Sequence, residues 1–413
     1  MKRHPDLSVN FCGVRFKNPF MLSSSPVSNT AEMVGRAFDA GWAGVAYKTL
    51  TTGPTKIIHP SPRMHGYNYG DKRLIGLQNV EQPSDRALKE NLADLALLKK
   101  RWPDHVLMAN IMGFSTGEWV ELAKACTGAG ADMLELNFSC PHMTVEGSGY
   151  KVGQAFELLC RFTEVVRKAT SIPIVAKMTP NITDMTVAAM YAKKGGADGI
   201  SAINTVRGIS EIGLGDHIPM PNVAGKGAIS GYSGPACKPI GLRFIAELAQ
   251  DGELNLPLSG VGGVETWVDA LEYILVGATT VQVTTGIIHY GYRIVEDMIE
   301  GMSDYMDGKG IGKVSDLIGM ALPNLCNTGD FDLSRKGAAK YDMEKCIGCG
   351  QCYTVCRDAG GQVLGWDAKK RWPVTDDEKC LSCMICSFVC PVDGMIEFKP
   401  HQANPIRRSG FGE

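Results

Sequence analysis

Eight cysteines between positions 346 and 390 fall into two copies of one spacing, Cys346-x2-Cys349-x2-Cys352-x3-Cys356 and Cys380-x2-Cys383-x2-Cys386-x3-Cys390-Pro391. Three thiols set two residues apart reach three corners of a single cuboidal cluster, and a distant fourth completes it. This is the spacing that holds two [4Fe–4S] clusters, with the fourth Cys of each run ligating the other cluster. One cluster is therefore expected on Cys346, Cys349, Cys352 and Cys390, and the other on Cys380, Cys383, Cys386 and Cys356. Gly348, Gly350 and Ser382 are small and leave room for backbone amides beside the sulfurs. Arg357 stands where the second run has Pro391, a change in the turn and not in the ligands. Paired four-thiolate zinc sites are the alternative, since they also use C-x2-C pairs, but they do not need a third Cys at the same spacing in both runs. The chain carries 14 cysteines in 413 residues and no apolar leader follows Met1-Lys2-Arg3, so metal ligation is expected rather than a secreted disulfide framework.

Upstream of this module, short apolar runs alternate with amphipathic ones. Strand-length segments occur at Phe20–Leu22, Gly44–Tyr47, Val106–Ile111, Met133–Phe138, Ile174–Ala176, Gly199–Ile203, Leu256–Val261 and Thr280–Val283. Helix-like segments follow them, from Ala31–Ala40 to Gly291–Met306. Eight such pairs over about 300 residues predict a (β/α)8 barrel, with a doubly wound open sheet as the other arrangement of the same alternation. Two Gly/Ala-rich elements, Gly128-Ala129-Gly130-Ala131-Asp132 and Gly195-Gly196-Ala197-Asp198, each close a helix and open a strand. The expected organisation is a barrel over 1–310, a connector over 311–340, a ferredoxin-like two-cluster domain over 341–400 and a surface tail over 401–413. A net charge of −2 gives no electrostatic reason to expect nucleic acid or an anionic membrane as partner, no apolar run is long enough to span a bilayer, and a cytoplasmic location is expected.

Active sites of such barrels lie on the loops after the strands. Strand seven ends in Ser259-Gly260-Val261-Gly262-Gly263 and strand eight in Thr284-Thr285-Gly286, a combination of amides and hydroxyls suited to a phosphate. A dinucleotide fingerprint fails because position 265 is Glu, so no NAD site is expected on this chain and the phosphate reads as that of FMN. A flavin also suits the module, because it takes electrons singly from clusters and passes them on in pairs. Lys48 and Thr49 end strand two and Lys177 ends strand five, where a lysine stabilises an anionic reduced flavin. Asn79, expected in the loop after strand two, and Asn137 and Asn204 each offer a donor and an acceptor, which suits a planar ring with alternating N–H and C=O groups. Cys140, in Asn137-Phe138-Ser139-Cys140-Pro141-His142, reads either as a buried structural thiol or as a proton donor that is uncharged at neutral pH.

Taken together, these residues resemble the dihydropyrimidine dehydrogenase family, both the bacterial NAD-dependent enzyme's FMN and iron–sulfur subunit and the C-terminal half of the large animal enzyme. The resemblance runs from Phe16 to Phe398. It rests on Asn18-Pro19-Phe20, Ala40-Gly41-Trp42, Ser61-Pro62-Arg63, Glu135 to Pro141, Ala176 to Asn181, Ala202 to Val206, Gly231-Tyr232-Ser233-Gly234 and the twin cysteine runs. It implies FMN contacts from Ser23, Ser24, Lys48, Thr49, Lys177, Gly234, Gly262, Gly263, Thr284 and Thr285. It implies pyrimidine contacts from Asn79, Asn137, Ser139, Asn204 and Thr205, and makes Cys140 the general acid on a closing loop. Position 23 is Ser where the animal enzyme has Ala, and His142-Met143-Thr144 replaces its glycine-rich continuation. The implied reaction is reversible reduction of the uracil or thymine C5=C6 bond, with electrons from NAD(P)H arriving through a partner subunit that carries FAD and the NAD(H) site, in a heterotetramer. A dihydroorotate dehydrogenase shares the barrel and flavin but lacks the fused cluster module, and an electron carrier with a non-catalytic barrel is the reading from another class.

Overall fold

Each of the eight apolar runs forms a strand because it has no polar face to give to solvent. In a computed structural model these strands pair in parallel and close on themselves in sequence order. The structure describes residues 5–52, 57–69, 73–139, 150–333 and 336–401. The barrel strands, numbered here one to eight, are Phe20–Leu22, Gly44–Leu50, Val106–Ile111, Met133–Asn137, Ile174–Lys177, Gly199–Ala202, Leu258–Val261 and Ala278–Val283. Val281↔Phe20, Gln282↔Met21 and Val283↔Leu22 close the ring between strands eight and one. The open-sheet alternative is thereby excluded. A helix packs outside after each strand, and several start on a side-chain cap. Thr30 accepts from the Met33 amide, Ser115 from Glu118, Asp184 from Thr186 and Thr266 from Asp269.

The two Gly/Ala-Asp elements do the same job twice. Gly130 and Gly196 take positive φ (95° and 96°), where glycine is favoured, and end their helices. The aspartate that follows then anchors the start of the preceding strand. Asp132 accepts from the Leu107 amide at 2.9 Å and pairs with Lys99, while Asp198 accepts from the Ile174 amide at 2.8 Å and pairs with Arg167. The strand-start end of the barrel is plugged by an N-terminal hairpin, Val9–Phe11 with Val14–Phe16. Its Phe11 and Phe16 rings are fully buried and pack against Gly199 and Gly44, the first residues of strands six and two. The opposite end is left for a ligand.

Above that opening lies a four-stranded antiparallel sheet that the strand–helix alternation does not announce. It is built from Met64–Tyr69 and Arg73–Asn79, after barrel strand two, and Val206–Gly208 and Ser230–Ser233, after barrel strand six. Asn79, expected in a loop, is instead the last residue of one of these strands and faces Gly231 in register. The Tyr232 ring fills the space where any side chain at Gly76 would sit, which locks the two excursions together.

The chain divides into two compact units after Asn324. The stretch read as a connector, 311–340, is shared between them. Val314 and Leu317 are buried in the barrel core, and Asp6 exchanges backbone hydrogen bonds with Gly312 and Val314 at 2.9 Å each. In the second unit Lys336–Tyr341 is already a strand, paired antiparallel with Ile396–His401. The short helices Gln351–Ala359 and Ile385–Phe388 and a hairpin of Gly365–Asp367 with Trp372–Val374 complete it. Its buried hydrophobic cluster among the described residues is Ala339, Cys352, Leu364, Cys386, Met395 and Ile396, two of them cysteines. So small an apolar core is a weak basis for stability, which points to bound metal as part of this unit's fold. Among the described residues no helix is long and apolar enough to cross a membrane.

Candidate active site and thiol-lined cavities

The mouth of the barrel holds a cavity of about 140 Å³. Its floor is polar, which is unusual for a barrel interior that side chains ordinarily fill with apolar layers. At the centre is Glu135, from strand four, with 0% exposure. Its Oε2 accepts from Asn110 Nδ2 at 2.6 Å and faces Lys177 Nζ at 3.3 Å. Its Oε1 accepts from Ser201 Oγ at 2.7 Å and Gln282 Nε2 at 2.9 Å. Lys177 Nζ also donates to Ser23 Oγ at 3.1 Å and to Gln282 Oε1 at 3.4 Å. Burial pushes the Glu135 carboxyl up, but the Lys177 charge and the three neutral donors outweigh it, so the group lies below the usual carboxylate range.

The wall over strands two, four and six carries amides. Asn137 Nδ2 donates to Thr49 Oγ1 at 3.1 Å, and its Oδ1 accepts from Ser139 Oγ at 3.2 Å. Asn204 Nδ2 donates to Ser139 Oγ at 2.7 Å, and Asn204 Oδ1 accepts from the Thr205 amide at 2.7 Å. Asn79 reaches in from the roof sheet, its Nδ2 held by the Gly231 carbonyl at 3.1 Å. Thr205 Oγ1, in the same wall, is buried without a hydrogen-bond partner. Lys48 forms a buried pair with Glu81 at 2.7 Å, and Arg63 and His59 approach the same carboxylate at 3.4 and 3.8 Å. Burial lowers the His59 imidazole from its ordinary value; Glu81 opposes this while Arg63 and Lys48 add to it.

The remaining side is formed by strand ends one, seven and eight. Ser23, Ser24, Gly262, Gly263, Thr284 and Thr285 line it together with Gly234 from the roof. Gly234, Gly262 and Gly263 all have positive φ (105°, 132° and 69°), so the backbone itself forms the surface there. Ser233 and Thr285 hydroxyls meet at 3.2 Å, and Ser25 Oγ is buried at this wall without a partner. The donor set fits a phosphorylated planar ligand: hydroxyls and glycine turns on one side, a lysine over a charged floor, and amides opposite. The ten residues expected to hold a flavin all line this one cavity, as do Asn79, Asn137, Asn204 and Thr205, with Ser139 bonded to two of these. Cys140 lies outside the described residues.

Four residues escape a reading of strand ends. Glu135 lies inside an apolar strand, where an acid between Leu134 and Leu136 is the sole signal. Gln282 alternates with valines in strand eight, Glu81 follows Asn79 in the excursion, and Tyr232 sits in a glycine-rich run. Each becomes part of the site only through partners far away in the chain.

In the second unit the cysteines gather around two separate cavities. One is lined by Cys346, Cys349, Cys352 and Cys390. The other is lined by Cys356, Cys380, Cys383 and Cys386. In both, three thiols come from one run and the fourth from the other. Among the described residues no three His, Cys, Asp or Glu groups converge closely enough to hold a single metal ion. Thiols spaced around a void suit a polynuclear cluster rather than one zinc. Gly348 and Gly350 have positive φ (69° and 79°), which carries the chain around the first cavity. Burial pushes the Cys352 thiol up to about 11, so ligation there displaces a proton that the thiol otherwise keeps.

Comparison with known proteins covers both units. Residues 6–306 match the family model for dihydroorotate dehydrogenase, and residues 339–398 match that for a 4Fe-4S dicluster domain. The NAD-dependent dihydropyrimidine dehydrogenase subunit PreA of Escherichia coli (strain K12) is 49% identical over 95% of this chain and 97% of its own length. The chloroplastic dihydropyrimidine dehydrogenase (NADP(+)) of Arabidopsis thaliana is 36% identical, over 81% of this chain and 82% of that protein. The catalytic subunit of dihydroorotate dehydrogenase B (NAD(+)) from Pyrococcus abyssi is also 36% identical but covers 76% of this chain, at 99% of its own. A crystal structure of DHODH from Eimeria tenella superimposes with a TM-score of 0.63 over 77% of this chain and 89% of that one, at 21% identity, a likeness of fold.

Proposed function

The chain belongs to the dihydroorotate dehydrogenase family through its barrel and to the dihydropyrimidine dehydrogenases over nearly its whole length, and from that premise we propose the reaction at its cavity. It is the pyrimidine-reducing subunit of a dihydropyrimidine dehydrogenase, converting uracil or thymine to the 5,6-dihydro base. The observation that carries this reading is the set Asn79, Asn137, Asn204, Ser139 and Thr205 converging on one cavity above the Glu135–Lys177 floor.

When bound, FMN supplies hydride to C6 of the base, and the two [4Fe–4S] clusters supply single electrons from NADH by way of FAD on a partner subunit. The chain's own residues do the rest. The asparagines hydrogen-bond the ring edges and stabilise charge that builds on the C4 carbonyl. Cys140 gives a proton to C5. Ser23, Ser24, Thr49, Thr284 and Thr285 hold the flavin by hydroxyls, and Gly234, Gly262 and Gly263 by close backbone. Lys48 and Lys177 provide positive charge beside it.

Gly263→Ala tests the cradle. At φ +69° the new Cβ would stand 2.8 Å from the Gly234 carbonyl oxygen and 2.9 Å from the Lys238 amide nitrogen. Strain of about 1–3 kcal/mol is expected, which lowers flavin affinity roughly ten- to hundredfold. Flavin retained on dilution as in the parent protein would remove Gly263 from the cradle.

Charge balance separates the substrate from a carboxylated pyrimidine. The cations among the described cavity-lining residues are Lys48 and Lys177, and each is matched by a buried acid, Glu81 and Glu135. An orotate carboxylate would bring an uncompensated negative charge into that site. The co-purified complex is expected to oxidise dihydrouracil at least about 100-fold faster than dihydroorotate at equal concentration. NADH-dependent reduction of uracil by the same complex tests the reading as a whole, and preference for dihydroorotate overturns it.

A further inference from the structure

Glu135 has no place in the reaction as stated, yet it is fully buried and hydrogen-bonded through both oxygens. A buried carboxylate is costly unless a cation and donors surround it. Here both oxygens are saturated by partners from four different strands: Asn110, Lys177, Ser201 and Gln282. Gln282 bridges the pair, donating to Glu135 while accepting from Lys177. Lys177 itself is 3% exposed and lines the cavity above. An amine that deep loses its proton readily when no counter-ion is near. The other charged groups among the described cavity-lining residues, Lys48 and Glu81, are paired with each other.

We propose that Glu135 is a positioning residue for the bound flavin: it is the counter-ion that keeps Lys177 protonated and aimed into the cavity, and so sets the flavin's reduction potential through Lys177. The proposal rests on the flavin reading above. It separates the two buried lysine–glutamate pairs among the described residues by task. The Lys48–Glu81 pair lies at the wall, with Arg63 and His59 beside it, whereas the Glu135–Lys177 pair is sealed beneath the flavin site by neutral donors alone.

The test is the flavin midpoint potential of the purified complex at pH 7.5 in the parent, E135Q, K177M and the double variant. Glutamine keeps the shape and removes the charge. E135Q is expected to lower the ratio of reduced to oxidised flavin at fixed potential by about tenfold, about 30 mV for a two-electron couple. K177M should fall at least as far, and the double variant no further than K177M, because both changes remove the same positive charge. If E135Q does not retain flavin, S201A removes a single donor to Glu135 with little loss of volume and should shift the potential in the same direction by about two- to threefold. An unchanged potential in the flavin-loaded variant, a rise at pH 7.5, or additive effects in the double variant would overturn the proposal. A parent complex that binds no flavin would instead overturn the flavin reading itself.

Discussion

Replacing Cys140 by alanine is expected to lower turnover of uracil by about 10²–10⁴-fold, the usual contribution of a positioned proton donor, with flavin and iron contents unchanged. The sign of the pH dependence follows from the donor's chemistry. A thiol with an ordinary value of about 8.5 is protonated at neutral pH and loses its proton above it. Reduction of uracil by the parent complex should therefore decline on the alkaline side. Oxidation of dihydrouracil, which needs the thiolate as base, should rise over the same range. Both limbs should vanish in Cys140→Ala. The barrel supplies its own control in Cys237, a thiol that lines the cavity, donates to the Tyr232 carbonyl at 3.5 Å and is pushed up to about 12 by burial. Cys237→Ser should leave both limbs where they are. Full activity in Cys140→Ala, with the parent pH profile, would sink the general-acid role.

Cys390→Ser should halve the iron of the purified chain and abolish NADH-dependent uracil reduction, while dihydrouracil still bleaches the bound flavin. The informative experiment is the pair of double variants. Cys390 shares its cavity with Cys346, Cys349 and Cys352, and the other cavity is closed by Cys356. Combining Cys390→Ser with Cys346→Ser should therefore cost no more iron than either change alone, whereas combining it with Cys380→Ser should cost all of it. The opposite pattern would mean that each run serves its own cluster. Because this unit's apolar core includes Cys352 and Cys386, loss of both clusters should also lower its unfolding temperature.

The grouping of the cysteines and the barrel strands are readable from sequence for a shared reason: both follow from local periodicity. The place of Thr284, Thr285 and Lys177 at the cavity follows from the same logic, since the end of a barrel strand is a known address. The roof sheet was not readable. Met64–Tyr69 and Arg73–Asn79 carry glycine and polar residues rather than apolar alternation; they pair with each other, and the sheet forms only when the other edge of Arg73–Asn79 meets Ser230–Ser233. Asn79 thus lines the cavity as expected, but from the end of a strand rather than from a loop. Glu135 was passed over because an acid in an apolar strand reads as a defect of pattern until its partners on four other strands are known. Val314 and Leu317, two isolated apolar residues, give no periodic sign that they belong to the barrel core.

The roof also bears on how the chain is made. Strand Arg73–Asn79 pairs on one side with its near neighbour Met64–Tyr69, and on the other with Ser230–Ser233. A ribosome must add roughly 150 further residues before that second partner exists, close to ten seconds or more at ordinary elongation rates. Through that interval the strand presents an open edge of unpaired amides and carbonyls, a template for pairing with any nascent neighbour. The segment that roofs the cavity in the finished protein is therefore, like barrel strand one awaiting strand eight, a place where an unfinished chain needs a chaperone's cover.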